Sequence, residues 1–178
     1  MKHLYIFNNL SRGFQYGVGS YMEQLLKYLD KQDQMYITCV NSMSAEKTIT
    51  VQTIGRIRYI HIPIYKLATL EQIEKYDESI VYILASYINK EDDNSFLFNF
   101  WLSSNFFVLL KDIYPFANIV LVIHYFKWCF TLQGDEIKFQ LLLKKDSRDR
   151  TEIENSLVHY FLEEKCVLRL SDKIVCLC

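Results

Sequence analysis

An apolar run ends in Asn8-Asn9, a short loop carries Ser11, Arg12 and Gly13, and Gly17-Val18-Gly19 then opens a stretch of helical periodicity. Glycines at the mouth of a helix let backbone N–H groups approach an anion, and the helix dipole favours negative charge there. Phosphate or a phosphorylated sugar is the expected guest of Gly17, Val18 and Gly19, with Arg12 as a second positive group or as a plain surface cation. Asn8, Asn9 and Ser11, at the end of the first strand, are placed either to hydrogen-bond ligand hydroxyls or to cap the turn. The plainer reading of Gly17 and Gly19 is a tight turn with close helix–strand packing.

Two nucleotide signatures of similar shape do not fit. Glycines 13, 17 and 19 do not spell Gly-x-Gly-x-x-Gly, and the next strand ends Cys39-Val40-Asn41 without a carboxylate for a ribose. No Gly-Lys-Ser/Thr follows the loop, which sets aside a P-loop NTPase. The acidic cluster that would hold Mg²⁺ in a response-regulator-like domain is also lacking.

His124 closes the most apolar segment of the chain, 117–123, at the edge where α/β sheets take ligands. An imidazole there suits a hydrogen bond to a ligand hydroxyl; a satisfied core histidine is the alternative. Tyr125, Phe126, Trp128 and Phe130 follow closely. Their faces suit sugar C–H surfaces and suit core packing equally well. His3, His61 and His159 have no such setting and are expected to be structural.

The elements that must position these groups follow from periodicity. Met22, Leu25, Leu26 and Leu29 share one helical face, with Ser20 and Glu23 as a capping box. Residues 35–40 read as a second strand, and 48–54 and 58–64 as a hairpin about Gly55 at a sheet edge. Thr69 with Gln72 starts a helix ending near Asn89, 95–100 reads as a strand, and Ser103 or Ser104 caps a short helix closed by Pro115. Thr151 with Glu154 opens a helix with Ile153, Leu157, Tyr160, Phe161, Val167 and Leu168 inward. Residues 173–178 read as a strand inside the sheet. Near-continuous apolar strands imply a sheet covered on both sides. The order predicts one α/β domain, a doubly wound, mostly parallel Rossmann-like sheet with helices on both faces.

Composition agrees with a single domain of 178 residues: 51% hydrophobic, 23% charged and a net charge of −1, which gives no general attraction to nucleic acid. Five cysteines without zinc spacing read as reduced core thiols of a cytoplasmic protein, and the N-terminal apolar run is too brief for a secretory signal. Residues 106–126 are broken by Lys111-Asp112, Pro115 and His124, so no membrane span is expected. Around 138–150, Lys138, Lys144, Lys145, Arg148 and Arg150 form a basic insert, read either as a solvated helix face or as a peripheral contact with the inner membrane surface. A final apolar strand without a polar tail suggests a truncated piece.

Three islands carry a resemblance. Tyr16-Gly17-Val18-Gly19-Ser20-Tyr21 is similar to a Gly-Gly-apolar-Gly-x-Tyr loop, Ile119-Val120-Leu121-Val122-Ile123-His124 to a strand ending in His-Asp, and Leu170-Ser171-Asp172-Lys173-Ile174-Val175-Cys176-Leu177 to an Ala-Asp-x-Ile-apolar run. In this order, across almost the whole chain, they resemble the N-terminal, acceptor-side domain of GT-B fold, retaining, sugar-nucleotide-dependent glycosyltransferases of the family 4-like group. Tyr16, Tyr125 and Cys178 depart from its commonest glycine, aspartate and serine. The resemblance implies a nucleotide-sugar donor held mainly by a C-terminal domain absent here, with no permanently bound cofactor and usually no metal. His124 would touch the transferred sugar, Gly17, Val18, Gly19 and Arg12 the donor phosphates, and Asn8, Asn9, Ser11, Tyr125 and Trp128 a glycan, lipid-linked or other hydroxyl acceptor. This piece alone is then expected to be inactive. A non-catalytic α/β module binding a partner or phosphorylated ligand is the alternative.

Overall fold

The computed structural model describes residues 1–10, 17–64, 69–99 and 103–177. Of the predicted site, Ser11 and Arg12 lie outside the described residues, as does Tyr16 of the first island. Seven strands, β1 (Lys2–Asn9), β2 (Tyr36–Ser44), β3 (Thr50–Ile54), β4 (Ile57–Pro63), β5 (Asp93–Phe98), β6 (Asn118–Ile123) and β7 (Lys173–Cys176), form one sheet in the order β3-β4-β2-β1-β5-β6-β7. Six helices join them: α1 (Val18–Leu29), α2 (Leu70–Leu84), α3 (Ser104–Ile113), α4 (Lys127–Thr131), α5 (Glu136–Lys144) and α6 (Glu152–Leu170). Neighbouring strands are parallel except the β3–β4 hairpin, which forms one edge as its spacing implies. This is the doubly wound, mostly parallel α/β sheet that the element order predicts.

Strand alternation divides the core in two. Ile6, Ile37, Cys39 and Ile57 face Met22 and Leu29 of α1. Tyr5, Phe7, Val40, Ile60, Phe96 and Phe98 point the other way, onto α2, α3 and the end of α6. That second face is strongly aromatic: Phe7 stacks on Phe98 with ring centroids 4.3 Å apart, Phe106 meets both edge-on, and Phe107 lies 4.6 Å from Phe98. Burying each such ring contributes about 1.5–3 kcal/mol, so the sheet is held mainly from this side.

Several expectations need correction. The cap of α1 is Gly17, three residues before the predicted cap Ser20, because Gly17 takes a left-handed φ of 77° and starts the helix with no side-chain cap. α2 ends at Leu84, where Ala85 to Ile88 turn back onto its last carbonyls, rather than near Asn89. Ile153 and Tyr160 of α6 face outward, Ile153 being 74% exposed, since α6 buries only the stripe through Leu157, Val158, Glu164 and Val167. β7 pairs only with β6 and is an exposed edge rather than an inner strand. Of the described cysteines only Cys39 is buried; Cys176 is exposed and Cys129 and Cys166 are intermediate. The capping boxes Thr69–Gln72 and Thr151–Glu154 form as predicted.

Candidate functional site

The chain leaves β1 through α1 to reach β2 on one side, and later passes through α2 to reach β5 on the other side of β1. Direction reverses between β1 and β5, and open α/β sheets take ligands outside the carboxyl ends of strands at such a point. The predicted residues fall around it. Asn8 and Asn9 end β1, Gly17 to Gly19 open α1, and His124 follows β6.

The start of α1 leaves backbone donors unpaired. Its first intrahelical bond is Tyr21 N–H to Gly17 O at 3.1 Å, so the N–H groups of Val18, Gly19 and Ser20 have no acceptor within the helix, and among the described residues no side chain caps them. A Cβ built on Gly17 would meet none of the described residues within 4 Å. Gly17 serves here through its positive φ rather than through tight packing.

His124 reaches the same helix. Its ring meets that of Tyr21 edge-on, with centroids 5.5 Å apart. Its Nε2 is buried and has no hydrogen-bond partner among the described residues, and burial holds its pKa below the usual histidine value. The imidazole is therefore neutral at pH 7, able to exchange a hydrogen bond with a ligand hydroxyl. Asn99, just past β5, approaches the next residue of α1: its Nδ2 lies 2.8 Å from Met22 Sδ, and its Oδ1 is buried without a partner. Tyr21 stood in the quoted loop without a role, and Asn99 carried no local signal at all. Both matter only because β5 and β6 end beneath α1.

On the far side of β1 the polar residues form a row. Asn8 Nδ2 donates to Asn41 Oδ1 at 3.1 Å, Asn41 lies 3.4 Å from His61 Nδ1, and Gln52 lies 3.0 Å from His61 Nε2. His61 is thus an internal member of a cross-strand ladder. Ser42 Oγ donates to Asn8 O at 3.4 Å, tying the end of β1 to β2. Tyr125 packs near Phe130, with centroids 6.1 Å apart, and is partly exposed. Trp128 stacks on Phe139 at 4.4 Å, nearly parallel, within the small α4–α5–α6 cluster of Leu142, Leu157 and Val158, the packing role weighed for it beside sugar contact. One face of its ring is thereby taken by packing.

Carboxylates from other helices cap the helices that flank the crevice. Asp77 of α2 accepts Ser103 N–H at 3.0 Å, and Glu163 of α6 accepts both the N–H and the hydroxyl of Ser104, together holding the start of α3. Glu164, buried beside it, accepts Lys127 N–H at 3.0 Å and caps α4 directly after His124. Burial raises the Glu164 pKa, against the opposing pull of the Lys127 N–H and charge. Asp172 clamps β6 to β7: it accepts Ile119 N–H and Lys111 Nζ, each at 2.8 Å, and returns its own N–H to Ile119 O. Desolvation pushes its carboxyl up, but these donors and the lysine charge outweigh it and hold the pKa below the usual range.

No family model and no curated protein matches the chain. Among solved structures it is similar to an alpha,alpha-trehalose 6-phosphate synthase from Burkholderia multivorans, at 9% identity over 92% of this chain and 44% of that one, with a TM-score of 0.46. It is also similar to an alpha,alpha-trehalose-phosphate synthase (UDP-forming) from Burkholderia xenovorans in complex with glucose-6-phosphate, at 13% identity over 80% of this chain and 38% of that one, with a TM-score of 0.48. The chain spans less than half the length of these structures. Likeness at this level carries no functional argument; that rests on the site.

In the 138–150 insert Lys145 pairs with Glu154 at 2.8 Å, Arg148 pairs with Asp146 at 3.1 Å, and Arg150 donates to Leu143 O. Apolar side chains also stand outward there: Ile137 is 77% exposed and Leu141 64%, beside a groove of about 290 Å³ lined by Leu142 and Leu157. Among the described residues, no helix is long and apolar enough to cross a membrane.

Proposed function

We propose that this chain is the acceptor-side domain of a glycosyltransferase that moves a sugar from a nucleotide-sugar donor to a hydroxyl acceptor with retention. The observation that carries the reading is the convergence on α1 at the switch point: a helix N-terminus without a side-chain cap among the described residues, with the His124 ring against Tyr21 and its Nε2 buried and unpartnered among those residues. A sugar phosphate has matching chemistry, an anion for the helix and hydroxyls for the imidazole.

In this reading the N–H groups at the start of α1 stabilise the negative charge that develops on the departing diphosphate, and do so without reorganising, because the helix fixes their direction. His124 orients the transferred sugar or the acceptor hydroxyl. Asn8 and Asn9 face the acceptor. A second domain supplies the nucleotide pocket and acidic residues, so this piece alone is inactive in transfer. Ile137 and Leu141, beside Lys138, are where a peripheral membrane contact or lipid-linked acceptor would be met.

The test is ligand-induced stabilisation of the chain by inorganic phosphate, hexose 6-phosphates and nucleotide sugars. A ligand at 100 times its Kd adds about 2.7 kcal/mol, a rise of roughly 5–10 °C in melting temperature for a chain of this size. His124→Phe keeps a ring against Tyr21 but loses Nε2. It should weaken sugar phosphates at least tenfold and leave inorganic phosphate unchanged. Absence of any response to phosphorylated ligands would leave the binding-module alternative in its place.

A further inference from the structure

Two side chains that meet α1 at consecutive residues each carry a buried polar atom with no hydrogen-bond partner among the described residues. His124, whose ring meets Tyr21, has Nε2, and Asn99, whose amide nitrogen meets Met22, has Oδ1. Asn99 is 2% exposed, and its N–H donates to Phe7 O at 3.5 Å, which fixes it in the gap between the ends of β1 and β5. Its only side-chain neighbour in hydrogen-bonding range among the described residues is the Met22 thioether, a weak acceptor. A thioether only accepts, so the amide turns Nδ2 to the sulfur and leaves Oδ1 without a partner among the described residues. Buried amide groups in folded proteins are otherwise nearly always satisfied, by protein, ordered water or ligand.

The surroundings restrict what can complete it. Oδ1 is an acceptor and needs a donor. An ammonium is disfavoured beside the positive end of α1, and a carboxylate or phosphate oxygen would face the amide oxygen lone pair to lone pair. A neutral hydroxyl satisfies both conditions, while the Met22 thioether and the Tyr21 ring offer apolar surface to C–H groups.

We infer that Asn99 is a specificity-determining residue of the crevice, its amide oxygen accepting one hydroxyl of a sugar whose phosphate lies at the N-terminus of α1. This rests on the glycosyltransferase reading and adds to it the group that tells a sugar phosphate from phosphate alone. A site built to hydrogen-bond a hydroxyl rejects the analogue lacking it, because the buried partner is then left unpaired.

The test uses the whole chain, with inorganic phosphate and with glucose, mannose and galactose 6-phosphates, by calorimetry and thermal melts. Asn99→Leu replaces an unsatisfied amide by an apolar group of similar size. Its melting temperature should equal or exceed that of the wild type, while affinity for the best hexose 6-phosphate falls at least tenfold and inorganic phosphate binding stays the same. A lower melting temperature with unchanged sugar-phosphate affinity would mean that Asn99 is structural, and would overturn the inference. Monodeoxy derivatives of the best hexose 6-phosphate, measured on the wild type, need no variant: one of them should bind at least tenfold more weakly, and equal binding by all overturns the inference. Both outcomes leave the anion site standing. A wild-type chain that binds neither phosphate nor sugar phosphates removes the anion site and this inference together.

Discussion

His124 and Asp77 are shifted in opposite directions by the same cause, since burial disfavours whichever form carries charge. For His124 this keeps the ring neutral and its Nε2 available. For Asp77 burial lifts the pKa from 3.8 to about 6, with the Ser103 N–H pulling the other way. A raised carboxyl contributes stability that is complete below 3.8 and is lost as pH rises through about 6. Asp77→Asn keeps an oxygen for the Ser103 N–H and removes the charge. It should be more stable than the wild type at pH 7.5 by about 2–3 kcal/mol, since each pH unit of displacement is worth ~1.4 kcal/mol. Denaturant melts at pH 7.5 and pH 4 check this; a difference that does not close at the lower pH would show that burial of the charge is not the cause. At this scale the sequence was legible where a residue sat beside its own element boundary. Asn8, Gly17 and His124 stand at such boundaries, at the ends of β1, α1 and β6. Asn99, Asp77, Glu163 and Glu164 were not legible, because each acts on a segment at least 26 residues away.

Helix and strand boundaries were clearest where two local signals agreed. Thr69–Gln72 and Thr151–Glu154 are followed by apolar periodicity and do cap α2 and α6. Ser20–Glu23 has the same spelling but lies inside α1, because Gly17, at a φ that other residues rarely adopt, admits the helix earlier. The β3–β4 turn uses a glycine differently. Gly55 has φ +59°, and a Cβ there would lie 2.5 Å from Asp30 Oδ1, the oxygen that accepts Arg56 N–H at 2.7 Å. Gly55→Ala must both strain the turn and displace that carboxylate. A loss of about 1–3 kcal/mol is expected from the left-handed conformation and the displaced cap together. Gly17→Ala meets none of the described residues within 4 Å, so its cost is the conformational strain alone, about 1–2 kcal/mol. Equal losses from the two variants in urea melts would sink this distinction.

Over the whole molecule, the class of sheet could be read from apolar strands alternating with amphipathic helices, but the lateral position of each strand could not. Ile174-Val175-Cys176 is apolar enough for an inner strand, yet it lies at the border, paired only with β6, with Ile174 46% and Val175 40% exposed. Hydrophobicity reports what a strand can bury, not which neighbour it receives. An apolar edge with unpaired backbone groups is a template for further pairing. The chain should associate at high concentration, and Val175→Lys should reduce this. Light scattering across a dilution series gives the answer, and association that is indifferent to the lysine would point to another surface, such as that around Ile137 and Leu141.

Glu163 and Glu164 are consecutive, yet one holds the start of α3 and the other the start of α4. A single small slide of α6 along its axis would release both at once, so these two helices share a latch rather than two independent fastenings. Hydrogen exchange should then report one common opening energy for the amides of Ser104 and Lys127, and the crevice rim after His124 would loosen only in step with the segment that follows β5.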